Sequence, residues 1–167
     1  MNRRRFLGAT GGLLTALAGC TALGGDGPQG HPMSAGYEDN PIVYSNGTLQ
    51  LTGPDQPVRA GDHVEFTLRN VGDETIESGC GSSWTIQRND GESWRELIYT
   101  TARGGAGCAA PLAPGESRTT RLTLDKAGIE DSIGGTLVEE FTSGQYRFVW
   151  LGTDPFLAVR FRIDASQ

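Results

Sequence analysis

Few side chains in this 167-residue protein are suited to chemistry: three cysteines, two histidines and some scattered carboxylates and serines. With Cys20 set aside for a motif treated below, Cys80 and Cys108 form an even pair. In an exported domain such a pair points to a disulfide, with two free thiols as the alternative. Closing that loop would contribute roughly 3–4 kcal/mol in the chain-entropy description. It would fasten a Gly/Ala-rich loop, Gly104 to Ala110, to Gly79-Cys80-Gly81 just ahead of a strand. A blue-copper site needs two histidines, a thiolate and usually a methionine, with one His close after the Cys. Neither His31 nor His63 follows Cys80 or Cys108, and Met33 sits in a linker. His63 reads as a strand-edge residue and His31 as a solvated linker residue. Gly81-Ser82-Ser83 is no nucleophile elbow, and two scattered histidines offer little choice of base. Glu139 and Glu140 are neighbours, so on a strand they would face opposite ways, as a solvated edge does. A glycosidase pair could still meet from distant strands. Asp125, Glu130 and Asp131 lack the dense oxygen donors of a calcium loop. No catalytic residue, metal or cofactor is expected.

The remaining cysteine belongs to the start of the chain. Arg3-Arg4-Arg5-Phe6-Leu7-Gly8 is a basic start before a weakly apolar run, which closes on Leu17-Ala18-Gly19-Cys20. Arg3 and Arg4 ahead of Phe6 and Leu7 resemble a twin-arginine export signal. Leu17-Ala18-Gly19-Cys20 resembles a lipobox, cut before its cysteine. Together they imply export, cleavage after Gly19 and a lipid on Cys20. The run is shorter than the roughly 20 apolar residues that span a bilayer. A stable anchor needs more than one acyl chain, because the mature chain supplies no basic patch as a second signal.

Cleavage would remove three arginines and no acid, leaving 11 basic against 20 acidic residues, a balance of −9. Such a chain is repelled by nucleic acid and by anionic lipid surfaces. Lys126 is the single lysine. This acidic, Arg-over-Lys, Gly-rich composition resembles that of proteins from salt-loving archaea. Thr21 to Gly36 is rich in Gly and Pro and reads as a tether. The organisation expected is a signal over 1–19, a lipidated cysteine and tether over 20–39, and one β domain over 40–167.

The elements that must position these residues are strands. Leu157, Val159, Phe161 and Ile163 alternate with Ala158, Arg160, Arg162 and Asp164, and Val64, Phe66 and Leu68 alternate within His63–Asn70. This period of two marks half-buried strands. Thr48–Thr52, Ser83–Arg88, Ser93–Thr100, Ser117–Leu124 and Gln145–Leu151 are further strands on the same grounds. Asp90-Gly91 can turn a hairpin. Only Ala127–Phe141 could hold a short helix. The fold class expected is all-β, a Greek-key sandwich of about seven to nine strands. Trp84, Trp94, Tyr146, Phe148 and Trp150 are the expected inter-sheet core.

Four motifs carry a resemblance. They are Val64-Glu65-Phe66-Thr67-Leu68-Arg69-Asn70; Trp84-Thr85-Ile86-Gln87-Arg88 with Asp90-Gly91 and Trp94; Leu112-Ala113-Pro114-Gly115-Glu116-Ser117; and Gly144-Gln145-Tyr146-Arg147-Phe148. In that order they resemble the bacterial immunoglobulin-like domains of bacterial and archaeal lipoproteins. The resemblance implies an immunoglobulin-like sandwich. Its motifs are turns and core aromatics, so it assigns no catalytic residue. The same marks occur more loosely in an intracellular proteinase-inhibitor family of similar fold.

The function expected is therefore non-enzymatic: a membrane-tethered surface module that binds a protein or a glycan, or serves in the envelope. The loop Arg103–Ala110 is the first candidate for contact. A protease-inhibitor-like wedge and an undetected hydrolase are the alternatives. Asn46-Gly47-Thr48 is an N-glycosylation sequon, and a glycan on Asn46 would mark that loop as solvent-facing.

Overall fold

A computed structural model of the protein describes residues 29–37, 39–102 and 108–164. The export motif (Arg3, Arg4, Phe6, Leu7), the lipobox with Cys20, the tether up to residue 28 and the loop residues 103–107 lie outside the described residues.

The described chain is all-β apart from one short helix. In order it runs β1 (His31–Pro32), β2 (Ile42–Val43), β3 (Leu49–Thr52), β4 (His63–Asn70), β5 (Ile76–Glu77), β6 (Trp84–Asn89), β7 (Trp94–Glu96), β8 (Ile98–Thr100), β9 (Pro111–Leu112), β10 (Ser117–Thr123), α1 (Lys126–Ile133), β11 (Thr136–Leu137), β12 (Gly144–Trp150) and β13 (Phe156–Ile163). These thirteen strands exceed the seven to nine expected; eight of them have three or more residues, and the other five are two-residue strips. Two sheets carry the body: β10-β4-β3, and β2-β13-β12-β6-β7. Two small sheets, β1-β8-β11 and β5-β9, close its margins.

Period-two patterning decides which faces meet. In β4, Val64, Phe66 and Leu68 are buried while His63, Glu65 and Arg69 are exposed. From the larger sheet, Trp84, Ile86, Tyr146, Phe148, Trp150, Leu157 and Phe161 are buried opposite them. Phe66 stacks on Phe148 with ring centroids 4.2 Å apart, and Phe161 meets Phe66 edge-on at 5.4 Å. These rings cross the gap between the sheets, and each withdraws a large apolar area from water. Asn70 ends β4 fully buried. Its amide nitrogen donates to the Glu74 and Leu112 carbonyls, and its oxygen accepts from Gly72. Tyr146, at the start of β12, bonds back through its hydroxyl to the Thr142 carbonyl at 2.8 Å and accepts from the Thr142 amide.

Local signals act where expected. The β6–β7 hairpin turns at Gly91, whose φ is 100°, and the Glu92 and Ser93 amides donate to Asp90. These amide bonds hold the Asp90 carboxyl below its usual range. Asp125 caps α1 by accepting from the Gly128 amide at 2.7 Å, and Gly134 ends the helix in the left-handed region.

Four readings change. Ser93–Thr100 is not one strand: β7 stays with β6, while β8 leaves to pair with β1 and β11. Glu139 and Glu140 lie past β11 rather than on a strand, and Glu139 takes ion pairs from Arg88 and from Arg95. His31 is not a solvated linker residue, since it pairs with Thr100 and is half-buried. The N-terminal segment is held from there on: the Met33 amide donates to the Ile98 carbonyl, and the Met33 side chain packs on the core. Trp94 is outside the core, for a reason that defines the site described next.

Candidate functional site

Strand pairing lines up one row of side chains across four strands of the larger sheet. Arg160 on β13 lies opposite Arg147 on β12, Arg147 opposite Gln87 on β6, and Gln87 opposite Glu96 on β7. Trp84 and Ile86 point into the core, so alternation turns Gln87 and its row outward.

The two ends of this row differ in charge satisfaction. Glu96 is only 8% exposed, and its carboxylate accepts four hydrogen bonds. They come from the Ser34 amide (2.9 Å), the Ser34 hydroxyl (2.5 Å), the Thr85 hydroxyl (2.9 Å) and the Gln87 amide (3.2 Å). Gln87 then turns its oxygen to Arg147, whose Nε donates to it at 2.6 Å. At the far end Arg147 and Arg160 contact no carboxylate among the described residues.

Two aromatic rings frame the arginines. The Arg147 guanidinium lies 4.5 Å from the centre of the Trp94 ring, and that of Arg160 lies 4.3 Å from the Tyr44 ring. Arg147 also donates to the Tyr44 hydroxyl at 3.0 Å. Partial burial pushes the Tyr44 phenol up, but hydrogen bonds and positive charge from Arg147 and Arg160 outweigh it and hold the phenol below the usual tyrosine range. Trp94 is thus a half-exposed member of an outer face, kept there because it pairs with Asn89, two residues beyond Gln87 on the outward side of β6.

Away from this open face, a concavity of about 620 Å³ lies beside the disulfide and is lined by His31, Tyr37, Ser83, Cys108 and Asp154 among others. The Cys80–Cys108 bridge is present, with Cα atoms 5.5 Å apart. Cys108 belongs to the loop expected to make contact, but residues 103–107 of that loop lie outside the described residues. Asn46 is half-buried in the turn before β3, and its oxygen accepts from the Thr48 amide and hydroxyl and from the Leu49 amide. His63 is exposed at the start of β4, 3.0 Å from the Thr123 hydroxyl. Asp125 is committed to capping α1, and among the described residues no three His, Cys, Asp or Glu side chains gather as a metal site. Among the same residues no helix is long and apolar enough to cross a membrane.

Of the residues singled out from sequence, the structure joins Cys80 to Cys108 and leaves Asn46 and the histidines apart. Tyr44, Arg147 and Arg160 are not among them. The available signal was the alternation of the last strand, which already placed Arg160 on the face away from Phe161.

No family model matches the chain, and no curated protein does. Among solved structures, it is similar to a β-glucosidase from Listeria innocua in complex with glucose (15% identity, TM-score 0.33), covering 70% of this chain and 16% of that one. It is likewise similar to a β-glucosidase from Erythrobacter marinus (20% identity, TM-score 0.32), covering 73% of this chain and 15% of that one. The chain thus spans about one sixth of the length of those enzymes. Likenesses this loose assign neither a fold family nor an activity.

Proposed function

We propose that this chain is an exported lipoprotein, anchored through Cys20, whose β domain is a non-enzymatic binding module of immunoglobulin-like topology. The observation that carries the binding role is the Arg147–Arg160 pair: two guanidiniums side by side on an open sheet face, without a carboxylate in contact among the described residues. Folding gains nothing from placing like charges directly opposite, whereas a recognition surface does.

The topology is supported by strand order. β3, β4 and β10 share one sheet and β6, β12 and β13 the other, the division found for strands A, B, E and C, F, G of immunoglobulin domains. The Tyr146 bond back to Thr142 resembles the tyrosine corner of such domains. The disulfide supports an oxidising compartment, and the acidic balance supports a salt-rich one. In such a compartment, the unfolding midpoint should rise with molar KCl.

Cell fractionation tests the reading. The native chain should sediment with membranes and react with a membrane-impermeant label on intact cells. A Cys20→Ser chain should not be lipidated. Recovery of the intact, unprocessed chain from the cytoplasm would overturn the proposal.

A further inference from the structure

Arg147 and Arg160 are cross-strand neighbours whose guanidiniums are steadied over the faces of Trp94 and Tyr44. The arrangement fixes the planes of two forked donors while leaving the cluster at the surface: Arg160 is exposed, Tyr44 is 42% exposed, and Trp94 and Arg147 are half-exposed. A planar guanidinium fork matches a carboxylate or a sulfate group through paired hydrogen bonds. An anion between the two would also relieve the repulsion of like charges set directly opposite each other.

We propose that the face formed by Tyr44, Trp94, Arg147 and Arg160 binds an acidic glycan, a polymer of sugars bearing carboxylate or sulfate groups. The proposal rests on the binding-module reading above and names the partner of that site. Three features select this partner. The cluster lies on an open sheet face, which suits a polymer lying along it better than a small ligand needing a concave site. The parts of Tyr44 and Trp94 that stay exposed beside the guanidiniums add amphipathic surface, wet at the hydroxyl or the indole N–H, against which sugar C–H groups can pack. Its charge is sparse and local in a chain of net −6. Duplex nucleic acid, with about one charge per 1.7 Å of its axis, meets stronger repulsion from the rest of the surface than a glycan carrying one acid group per sugar.

Affinity electrophoresis of the purified full chain tests this. The gels would contain polygalacturonate, its fully methyl-esterified form, dextran sulfate or dextran. The expected result is retardation by polygalacturonate, dextran sulfate or both, and none by the esterified polymer or dextran. The two acidic gels separate carboxylate from sulfate as the preferred group. R147Q and R160Q should each weaken retardation at least tenfold, while R162Q, which removes an equal charge already paired with Asp164, should keep it. Near-ultraviolet circular dichroism of each variant checks that its aromatic packing is native. Equal retardation by charged and esterified polymers would overturn the proposal, as would native-like R147Q and R160Q chains that bind as tightly as the parent. Tighter binding of an acidic protein or of DNA at the same face would replace the glycan with that partner, leaving the binding-module reading standing. If no polyanion binds the face at all, that reading loses its carrying observation too.

Discussion

The corner at Ser78–Cys80 and the face at Arg147–Arg160 belong to one small body and treat polar groups in opposite ways. At the corner donors of Trp150, Ser78, Cys80 and Arg118 turn to partners within the protein. The Trp150 indole donates to the Ser78 carbonyl at 2.6 Å, and the Ser78 amide and hydroxyl both donate to the Ala110 carbonyl. Arg118 donates to the Ser78 hydroxyl at 2.9 Å and also to the Gly79 carbonyl. The backbones pass so closely that a Cβ on Gly79 would lie 2.5 Å from the Gly152 Cα, so both positions need glycine. The disulfide is fastened to this corner. At the face, two cations stand together with only rings and amides for company. The corner is explained by what holds the chain together. The face is not, and the proposal that it is a binding surface rests on this difference.

The largest effect should come from breaking the corner. A Cys80→Ser, Cys108→Ser double variant should lose about 3–4 kcal/mol, read from urea unfolding with m fitted separately for each chain, because the unfolded chain expands without the cross-link. A loss below about 1 kcal/mol, the worth of one ordinary hydrogen bond, would mean that the hydrogen bonds around Ser78 hold the corner without the bridge.

Next in size is Glu96, which joins the two regimes because it sits in the row of the arginines yet is fully engaged. Glu96→Ala strands donors from Ser34, Thr85 and Gln87 and should cost about 2–3 kcal/mol. It should also speed amide exchange at Ser34, whose N–H loses its acceptor. Unchanged exchange there would show that pairing of β1 with β8, not the carboxylate, fastens the N-terminal segment.

The legibility of the chain divides along similar lines. β4 was readable because it buries one face, and a slip of one residue would turn every apolar side chain outward, whereas β13 keeps that alternation only toward its end, since Phe156, Leu157 and Ala158 are all buried. The helix was readable only as a region, since its glycines obscured it while the Asp125 cap and the Gly134 stop fixed its ends. β1 was not readable: two residues carry no period, and only the partner strand reveals them. Trp94 was misplaced because size alone suggested the core. Strand parity carried the better signal. With Trp84 and Ile86 inward, Gln87 and Asn89 face outward, and a four-residue loop over 90–93 sets Trp94 opposite Asn89. The arginine pair was hidden for a different reason. Its residues are separated by twelve positions and meet only through the register of β12 and β13.

Replacing one arginine should affect stability far less than damage at the corner. Arg160→Gln removes a like charge opposite Arg147 and leaves the Arg147 bond to Gln87 in place. Stability should change by no more than about 0.5 kcal/mol, because relief of the like charge offsets loss of the contact with the Tyr44 ring. A loss of 2 kcal/mol or more, in the range of a buried polar group left unpaired, would make the face structural and erase the contrast with the corner.

The smallest effect reads the face directly, through the Tyr44 phenol. Burial raises its pKa, but Arg147 and Arg160 lower it by more, so among the four tyrosines Tyr44 should ionise below the ordinary value of about 10. The sign for stability follows. A depressed folded pKa means the tyrosinate is favoured by the fold. That contribution is complete above the unfolded pKa, is lost as pH falls through the folded one, and is absent at neutral pH. An ultraviolet titration should show an early phase that disappears in Tyr44→Phe. R147Q or R160Q should move the phase upward, because each removes a charge that favours the phenolate. Bound polyanion should move it upward in the parent chain as well, by neutralising the same two cations. An early phase that R147Q and R160Q leave unmoved would mean that the guanidiniums are not held against the ring, and the face would lose the preorganisation that distinguishes it from any other pair of surface arginines.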